Sequence, residues 1–415
     1  MEAGTETLTT EIAILGAGVV GLAIAEALLA EGRSVVLVDP GPPGGGASYG
    51  NAGTIADYAV LPVGTPDVLR NLPALLFNRN SPLAIRHAAV MSLAPWLLRF
   101  ARQSLPGPAA RNATAIAALV ADARPRWEAL ADRIGGGDLL RHRGCLYVYD
   151  TEAGFRAAEA DLAGKRGFGV AVETLTPADL ARMEPGLPPM AGGAAFFADA
   201  VSMADPGAMV SRLAAVVARG AQIVTARADG IVRDAGGVVV EGPGLRLRAR
   251  RVVIAAGAHS KPLARSAGDR VPLDTERGYH LEWDMDTPLL DRPVCSTARG
   301  FYLCPMAGRL RAVGTVELGG FAPPSPHRLA RLDEGARSLF PGLGPVARSW
   351  MGFRPSMPDS LPVIGPSAAG ADVIHAYGHG HIGLTLAPVT GAIVADLVAG
   401  RVPGVDIAPY RASRF

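Results

Sequence analysis

Three cysteines in 415 residues are too few and too irregularly spaced for a disulfide framework or a metal site. Cys145, Cys295 and Cys304 therefore read as buried or half-buried thiols of a reducing compartment. An excess of one charge is also missing. Forty basic against 38 acidic residues leave a net charge of +2, which gives no electrostatic reason to expect nucleic acid. The densest basic run, Arg246 to Arg251, is expected beside a strand, capping a sheet edge. No long apolar run is present: the longest, Ala88 to Leu98, contains Pro95 and is too short to span a bilayer. The opening MEAGTETLTT has neither the basic start nor the apolar centre of a signal peptide, so a cytoplasmic location is expected. There is no Ser-His-Asp order, HExxH pair or zinc spacing. The eight histidines do not cluster, and no metal is expected. Repeats and low-complexity segments are absent.

What is present suits a large core. Hydrophobic residues make up 49% and charged residues 19%, over a length that allows two or three domain-sized units. Residues 12 to 40, IAILGAGVVGLAIAEALLAEGRSVVLVDP, have the form of a dinucleotide-binding βαβ unit. Ile12 to Leu15 make a short apolar strand. Gly16 allows the tight turn, Gly18 lets the backbone approach a pyrophosphate, and Gly21 lets the helix pack close to the sheet. The helix from about Val19 to Glu31 turns its N–H groups and positive end toward phosphates, and Gly32 suits its C-cap. Val35 to Val38 form a second strand. Asp39 follows about 20 residues beyond the glycines, where a carboxylate accepts ribose hydroxyls and disfavours a 2′-phosphate.

Residues 60 to 135 read as mainly helical. Within them, Leu83 to Leu105 is amphipathic, either packing on the protein's own body or lying on a membrane surface. A strand is expected at Cys145 to Tyr149 and another around Phe196 to Val201. Thr176 and Pro177 open a short helix. A helix from Asp205 to Gly220 is followed by strands at 222–225, 230–233, 238–241, 245–248 and 251–256. Period-2 segments at Tyr279 to Trp283, Phe301 to Cys304 and Leu310 to Glu317 predict an antiparallel sheet. A helix from about Leu384 ends at Gly400. Two interwoven, discontinuous domains follow from this order.

The ordered set GAGVVG, VVLVD, GASYGNAG, VVIAAGAHS, LDTERGYH, GTVE, GFRPSMPDSLPVIG and GHGHIGLTLAPVTG resembles the D-amino-acid dehydrogenase and glycine oxidase family of flavoproteins over nearly the whole chain. TERGYH and GHGH resemble its glyphosate-oxidoreductase-like members in particular. The resemblance implies an α/β fold. A Rossmann-like FAD-binding domain (1–62, 205–268 and 346–415) is interwoven with an α+β substrate domain (63–204 and 269–345) built on a mixed, largely antiparallel sheet. It places Ser48, Asn51, Ala52 and Gly53 along the cofactor, Ala228 at the adenine, and Ala256 and Gly257 at a second crossing. Gly380, Gly383, Leu384 and Thr385 fall beneath the flavin's pyrimidine edge, where a helix N-terminus favours negative charge. The position used for cysteinyl attachment in some relatives falls at Gly352, so FAD is expected to be noncovalent.

The resemblance further implies oxidation of an amino acid's C–N bond, with oxygen or a membrane quinone as acceptor. A guanidinium is the natural clamp for the substrate carboxylate. Arg354 matches the family's carboxylate-binding arginine and Tyr302 a tyrosine that assists it. The plainer readings are an ion pair of Arg354 with Asp359 and sheet packing of Tyr302. His381 matches a substrate-facing position, with a surface or capping role as the alternative. Tyr279 and His280 share a strand, so only one should face the flavin; Tyr279 is favoured. Glu276 or Arg277 reads either as the start of that strand at the cavity rim or as a plain salt bridge. An NAD-dependent dehydrogenase and a partner-dependent flavin subunit remain as alternative functions.

Overall fold

The computed structural model describes residues 7–70 and 83–415. Part of MEAGTETLTT and part of the helical region expected over 60–135 lie outside the described residues.

The first sheet has eight strands. Gln222–Thr225, Val35–Asp39, Leu8–Leu15 and Leu245–Ile254 run parallel in that order. Gly370–Tyr377 continues the parallel run beside the end of Leu245–Ile254. The hairpin Gly230–Asp234 and Gly237–Gly242 takes the other end, antiparallel. Both faces are covered, as all-apolar parallel strands require. Ile12 and Ile14 pack with Leu22, Leu28, Leu213 and Val394 from helices on one face. Ala13 and Leu15 pack with Val252, Ile254 and Leu263 on the other. Each such aliphatic side chain contributes about 1.5–3 kcal/mol by burial.

Two expectations change here. Leu245–Ile254 is one strand, not two, because its halves pair with different neighbours along one edge. The run Arg246 to Arg251 thus lies in an interior strand. Arg246 and Arg248 pair across to Glu241 and Asp234, and Arg251 donates to carbonyls at the end of helix Gly383–Ala399. The helical stretch Gly380–Ala399 is long and apolar enough to cross a membrane, yet it is a core element here. A Cβ on its Gly391 would lie 2.7 Å from the Ala23 carbonyl oxygen of helix Val19–Ala30.

The second sheet has nine strands and is mixed but largely antiparallel, as expected. Its order is Arg348–Ser356, Asp274–Asp284, Arg309–Leu318, Phe301–Met306, Val294–Ser296, Cys145–Val148, Ala194–Phe197 and Glu173–Leu175, with Leu83–Ile85 beside Arg309–Leu318. The boundary at 346 had assigned Arg348–Ser356 to the nucleotide unit. It pairs instead along Asp274–Asp284, with Arg354 opposite Glu276 and Trp350 opposite His280. One face of the sheet packs Tyr279, Leu281, Trp283 and Leu303 against Leu332 and Ala336 of helix Pro326–Leu339. The other face looks toward the loop 48–53, with Ala52 packed on Cys304, Met306 and Val313.

Helix Val90–Gln103 buries Leu93, Trp96 and Phe100 against Ile85 and Leu318. Its outer face leaves Met91 84% and Leu98 73% exposed. All three cysteines are free and buried.

Candidate active site

The glycine-rich corner sits at the C-terminal ends of the parallel strands, the place where open α/β sheets hold their ligands. Gly16 has φ +114°, and a Cβ there would lie 2.4 Å from the Ala255 carbonyl oxygen; one on Gly21 would lie 1.9 Å from the Gly16 oxygen. Both positions therefore exclude a side chain. Helix Val19–Ala30 begins at Gly18 with no acidic residue in its first turn, leaving its positive end uncompensated. Asp39 accepts from the Ala17 N–H at 2.7 Å and the Gly41 N–H at 2.9 Å, which fixes its carboxylate at the strand end. Ser48 accepts from the Val19 N–H at 2.9 Å. Ala255 and Ala256 lie against Gly16 at the end of the neighbouring strand, and Gly257 opens the short turn that follows. Ala228 lies just beyond strand Gln222–Thr225, near Asp39, whose carbonyl accepts from the Ala226 N–H.

From there the loop 48–53 runs beneath the second sheet. Asn51 folds the loop onto itself, donating to the Ser48 carbonyl and accepting from the Gly53 N–H. Three successive loop carbonyls are held by side chains of the sheet. Arg311 donates to Tyr49 and Asn51, and Nδ1 of His280 lies 3.1 Å from the Gly50 oxygen. A carbonyl only accepts, so Nδ1 of His280 carries the proton. Burial, with the nearby Arg311 cation, pushes the His280 pKa down to about 4, leaving it neutral. Its ring stacks on Trp350. Arg311 is anchored by Glu282, which is also paired with Arg309 and Arg348. Arg309 in turn reaches Asp205, the N-cap of helix Pro206–Val217.

Arg354 lies on the same sheet face. Its guanidinium lies across Gly278, where a Cβ would come 2.2 Å from Cζ. Its one hydrogen bond among the described residues goes to the Thr315 carbonyl, 3.1 Å away. Thr315 sits at φ +55°, a conformation that costs a β-branched residue about 1–3 kcal/mol. Burial lowers the Arg354 pKa, opposed by the Glu276 charge. Glu276 is 4% exposed and bonds to Nε2 of His381 at 2.5 Å. Burial would raise the Glu276 pKa, but His381 and Arg354 hold it below the usual range. Asp359 pairs with Arg414, so the ion pair considered for Arg354 does not form. Gly278→Ala should displace the guanidinium and lower kcat/KM about tenfold or more while FAD binding is kept; steady-state kinetics and flavin content measure both.

Tyr302 shares a 2.5 Å hydrogen bond with Tyr147, inside an aromatic group that includes Tyr58 and Phe197. Burial pushes all three phenols well above their ordinary pKa, so each keeps its proton.

Residues 11–397 match the model of the DAO family, FAD dependent oxidoreductase. The chain belongs to that family. It is 36% identical to a D-amino-acid oxidase of Bradyrhizobium diazoefficiens, over 97% of this chain and 98% of that protein. It is 31% identical to D-amino acid dehydrogenase 2 of Ralstonia nicotianae, over 97% and 100%. Its fold matches the crystal structure of glycine oxidase from Geobacillus kaustophilus with a TM-score of 0.78 and 26% identity, covering 99% of this chain and 100% of that one. Membership of this oxidoreductase family sets aside the NAD-dependent alternative.

The residues present fit FAD. Among the described residues the N–H groups of Gly18, Gly50, Asn51 and Ala52 find no acceptor, which leaves them free to donate to a ligand's phosphate or ring oxygens. Gly380 has φ +54° with open space where a Cβ would be. Gly383 and Leu384 start helix Gly383–Ala399, and Thr385 accepts from the Ala56 N–H.

The structure reverses one orientation. Tyr279 faces away from the loop 48–53: it is fully buried in the core under helix Pro326–Leu339, and its hydroxyl donates to Glu317 at 2.5 Å. Arg277 pairs with the same Glu317. His280 is the member of the pair that meets the loop. Sequence reasoning also missed Arg311, Glu282 and Trp350 as site residues. Alternation from Arg354 on one strand and His280 on the next would have grouped Trp350 and Glu282 with them; Arg311 could be assigned only once its strand's neighbour was known. His379 is buried on Thr390, and no group suited to a metal occurs among the described residues.

Proposed function

We infer that this flavoprotein oxidises the C–N bond of a small amino acid: a D-amino acid, a glycine-like compound or a secondary amino acid. The carrying observation is Arg354, a guanidinium on the sheet face above the loop 48–53 that has no acidic partner within ion-pair distance among the described residues. A planar cation kept open in this way suits a substrate carboxylate. The relatives named D-amino-acid oxidase and D-amino acid dehydrogenase and the glycine oxidase structure support the same reading.

FAD would lie with its adenosine half over Gly16, Gly18 and Asp39 and its flavin beside Asn51, Ala52 and Gly53, held noncovalently. Bound there, it supplies a hydride acceptor for the substrate Cα. Arg354 takes the carboxylate and Tyr302 assists as a neutral hydroxyl. His381 faces the amine. Clamping the carboxylate fixes which substrate face is presented, a contribution of alignment rather than of covalent chemistry. The imino acid formed is hydrolysed by water to a 2-oxo acid and an amine. Segments 7–62, 205–268 and 357–415 form the cofactor unit; 63–70, 83–204 and 269–356 form the substrate unit.

The test is the anaerobic visible spectrum. D-alanine, glycine, N-methylglycine, iminodiacetate and D-hydroxyproline are added in turn. Bleaching of the flavin band by one or more is expected, and readmitting air then distinguishes oxygen from a quinone as acceptor. A yellow protein that none of them bleaches would overturn the reading in favour of a partner-dependent flavin subunit.

A further inference from the structure

We propose that Glu276 and His381 form the proton-accepting half of the substrate site. The ammonium group of the bound amino acid gives one N–H proton to the His381 imidazole, and Glu276 orients that ring and balances the resulting charge. The inference rests on Arg354 as the carboxylate clamp.

Glu276 and Arg354 are directly opposite on paired strands, on the face that meets the loop 48–53. Glu276 is 4% exposed. The His381 side chain, on the loop preceding helix Gly383–Ala399, is 35% exposed. The pair thus joins a buried anion to a ring that solvent and substrate can reach. Side by side, the Arg354 cation and the Glu276–His381 pair form the charge complement of a zwitterion: carboxylate at one end, ammonium at the other. Nε2 of His381 donates to Glu276, so Nδ1 presents the lone pair. In the transfer the N–H bond of the ammonium breaks and an N–H bond forms at Nδ1. The nitrogen keeps the electron pair, and no oxidant is consumed. His381 is the catalytic residue and Glu276 a positioning residue. The other groups around Glu276 are Arg354 and the Ser356 hydroxyl; the Arg277–Glu317 pair lies on the opposite face of the sheet and is already closed.

Glu276→Gln keeps shape and removes charge. In the FAD-loaded enzyme it should lower kcat about tenfold or more and alter the acid limb of kcat/KM, because the carboxylate no longer orients the ring or balances its charge. His381→Gln, at a partly exposed position, should remove that limb altogether. Propionate, a carboxylate without an amine, is titrated in parallel through its perturbation of the flavin spectrum. Its affinity should stay within about twofold in both variants. An unchanged pH profile in both variants, with propionate still bound, would overturn the proton-acceptor pair alone. Failure of propionate to bind the unmodified enzyme would overturn the Arg354 clamp on which it rests.

Discussion

Replacing Arg354 with alanine is expected to lower kcat/KM roughly a hundred- to a thousandfold, since losing one partner of a charge-assisted carboxylate contact costs about 3–4 kcal/mol. FAD should stay bound, because Arg354 touches the Thr315 carbonyl and lies over Gly278, whereas the loop carbonyls are held by Arg311 and His280. Lysine should recover little, as a point charge cannot reproduce the two-pronged contact. Rapid-mixing measurement of flavin reduction separates the effects: a loss confined to substrate affinity means uniform binding, and a loss in the reduction rate means alignment. Unchanged apparent affinity together with an unchanged rate would show that the carboxylate binds elsewhere.

The second large effect concerns stability. Glu282 is fully buried under Arg309, Arg311 and Arg348. Glu282→Gln leaves Arg311, also fully buried, without its counter-charge, and removing one partner of a buried pair costs about 3–5 kcal/mol. Urea unfolding at neutral pH should show a loss of that size. The FAD dissociation constant should rise as well, because Arg311 no longer holds the Tyr49 and Asn51 carbonyls firmly. The pH dependence follows from the same group. Burial would raise the Glu282 pKa, but the three arginines hold it at about 2, against about 4.3 in an unfolded chain. Stability from a depressed carboxyl is complete above the unfolded value and is lost as pH falls through the folded one. About 3 kcal/mol should therefore disappear between ~pH 4 and pH 2, and this component should be absent in Glu282→Gln. An identical acid dependence in the two proteins would assign the acid sensitivity to other carboxyls.

The parts of the site that could be read from sequence are those whose geometry is local. Gly21 and Asp39 sit where a close helix and a strand end demand them, each against a partner in the same βαβ unit, and the tight turn at Gly16 is local too, although the wall that closes on it is the distant Ala255. The Gly32 and Gly400 helix ends were legible for the same reason, both at φ +74°. Tyr279 and His280 were not. Alternation states that they point oppositely, but which one meets the cofactor loop depends on helix Pro326–Leu339 covering the other face, and that helix was not foreseen. The shift in register around Gly278 and the pairing of Arg348–Ser356 with Asp274–Asp284 are likewise long-range choices. Glu276 looked like an ordinary salt bridge because its partner, His381, is more than a hundred residues away.

The interleaved order of strands also bears on how the protein is made. The βαβ segment is complete at Asp39, but its parallel neighbours begin only at Gln222 on one side and Leu245 on the other, and the strand beyond the latter at Gly370. At about 5–20 residues per second, a ribosome needs roughly 10–40 s to supply the first of these. Throughout that interval the apolar edge of Leu8–Leu15 is unpaired, and the glycine turn has no Ala255–Ala256 segment against it. The emerging chain cannot capture FAD early as a scaffold; the cofactor can bind only after Gly370–Tyr377 has been made. Limiting flavin supply should therefore leave chains that already include Gly370–Tyr377 open to chaperones and proteases, rather than fragments that end at the βαβ segment.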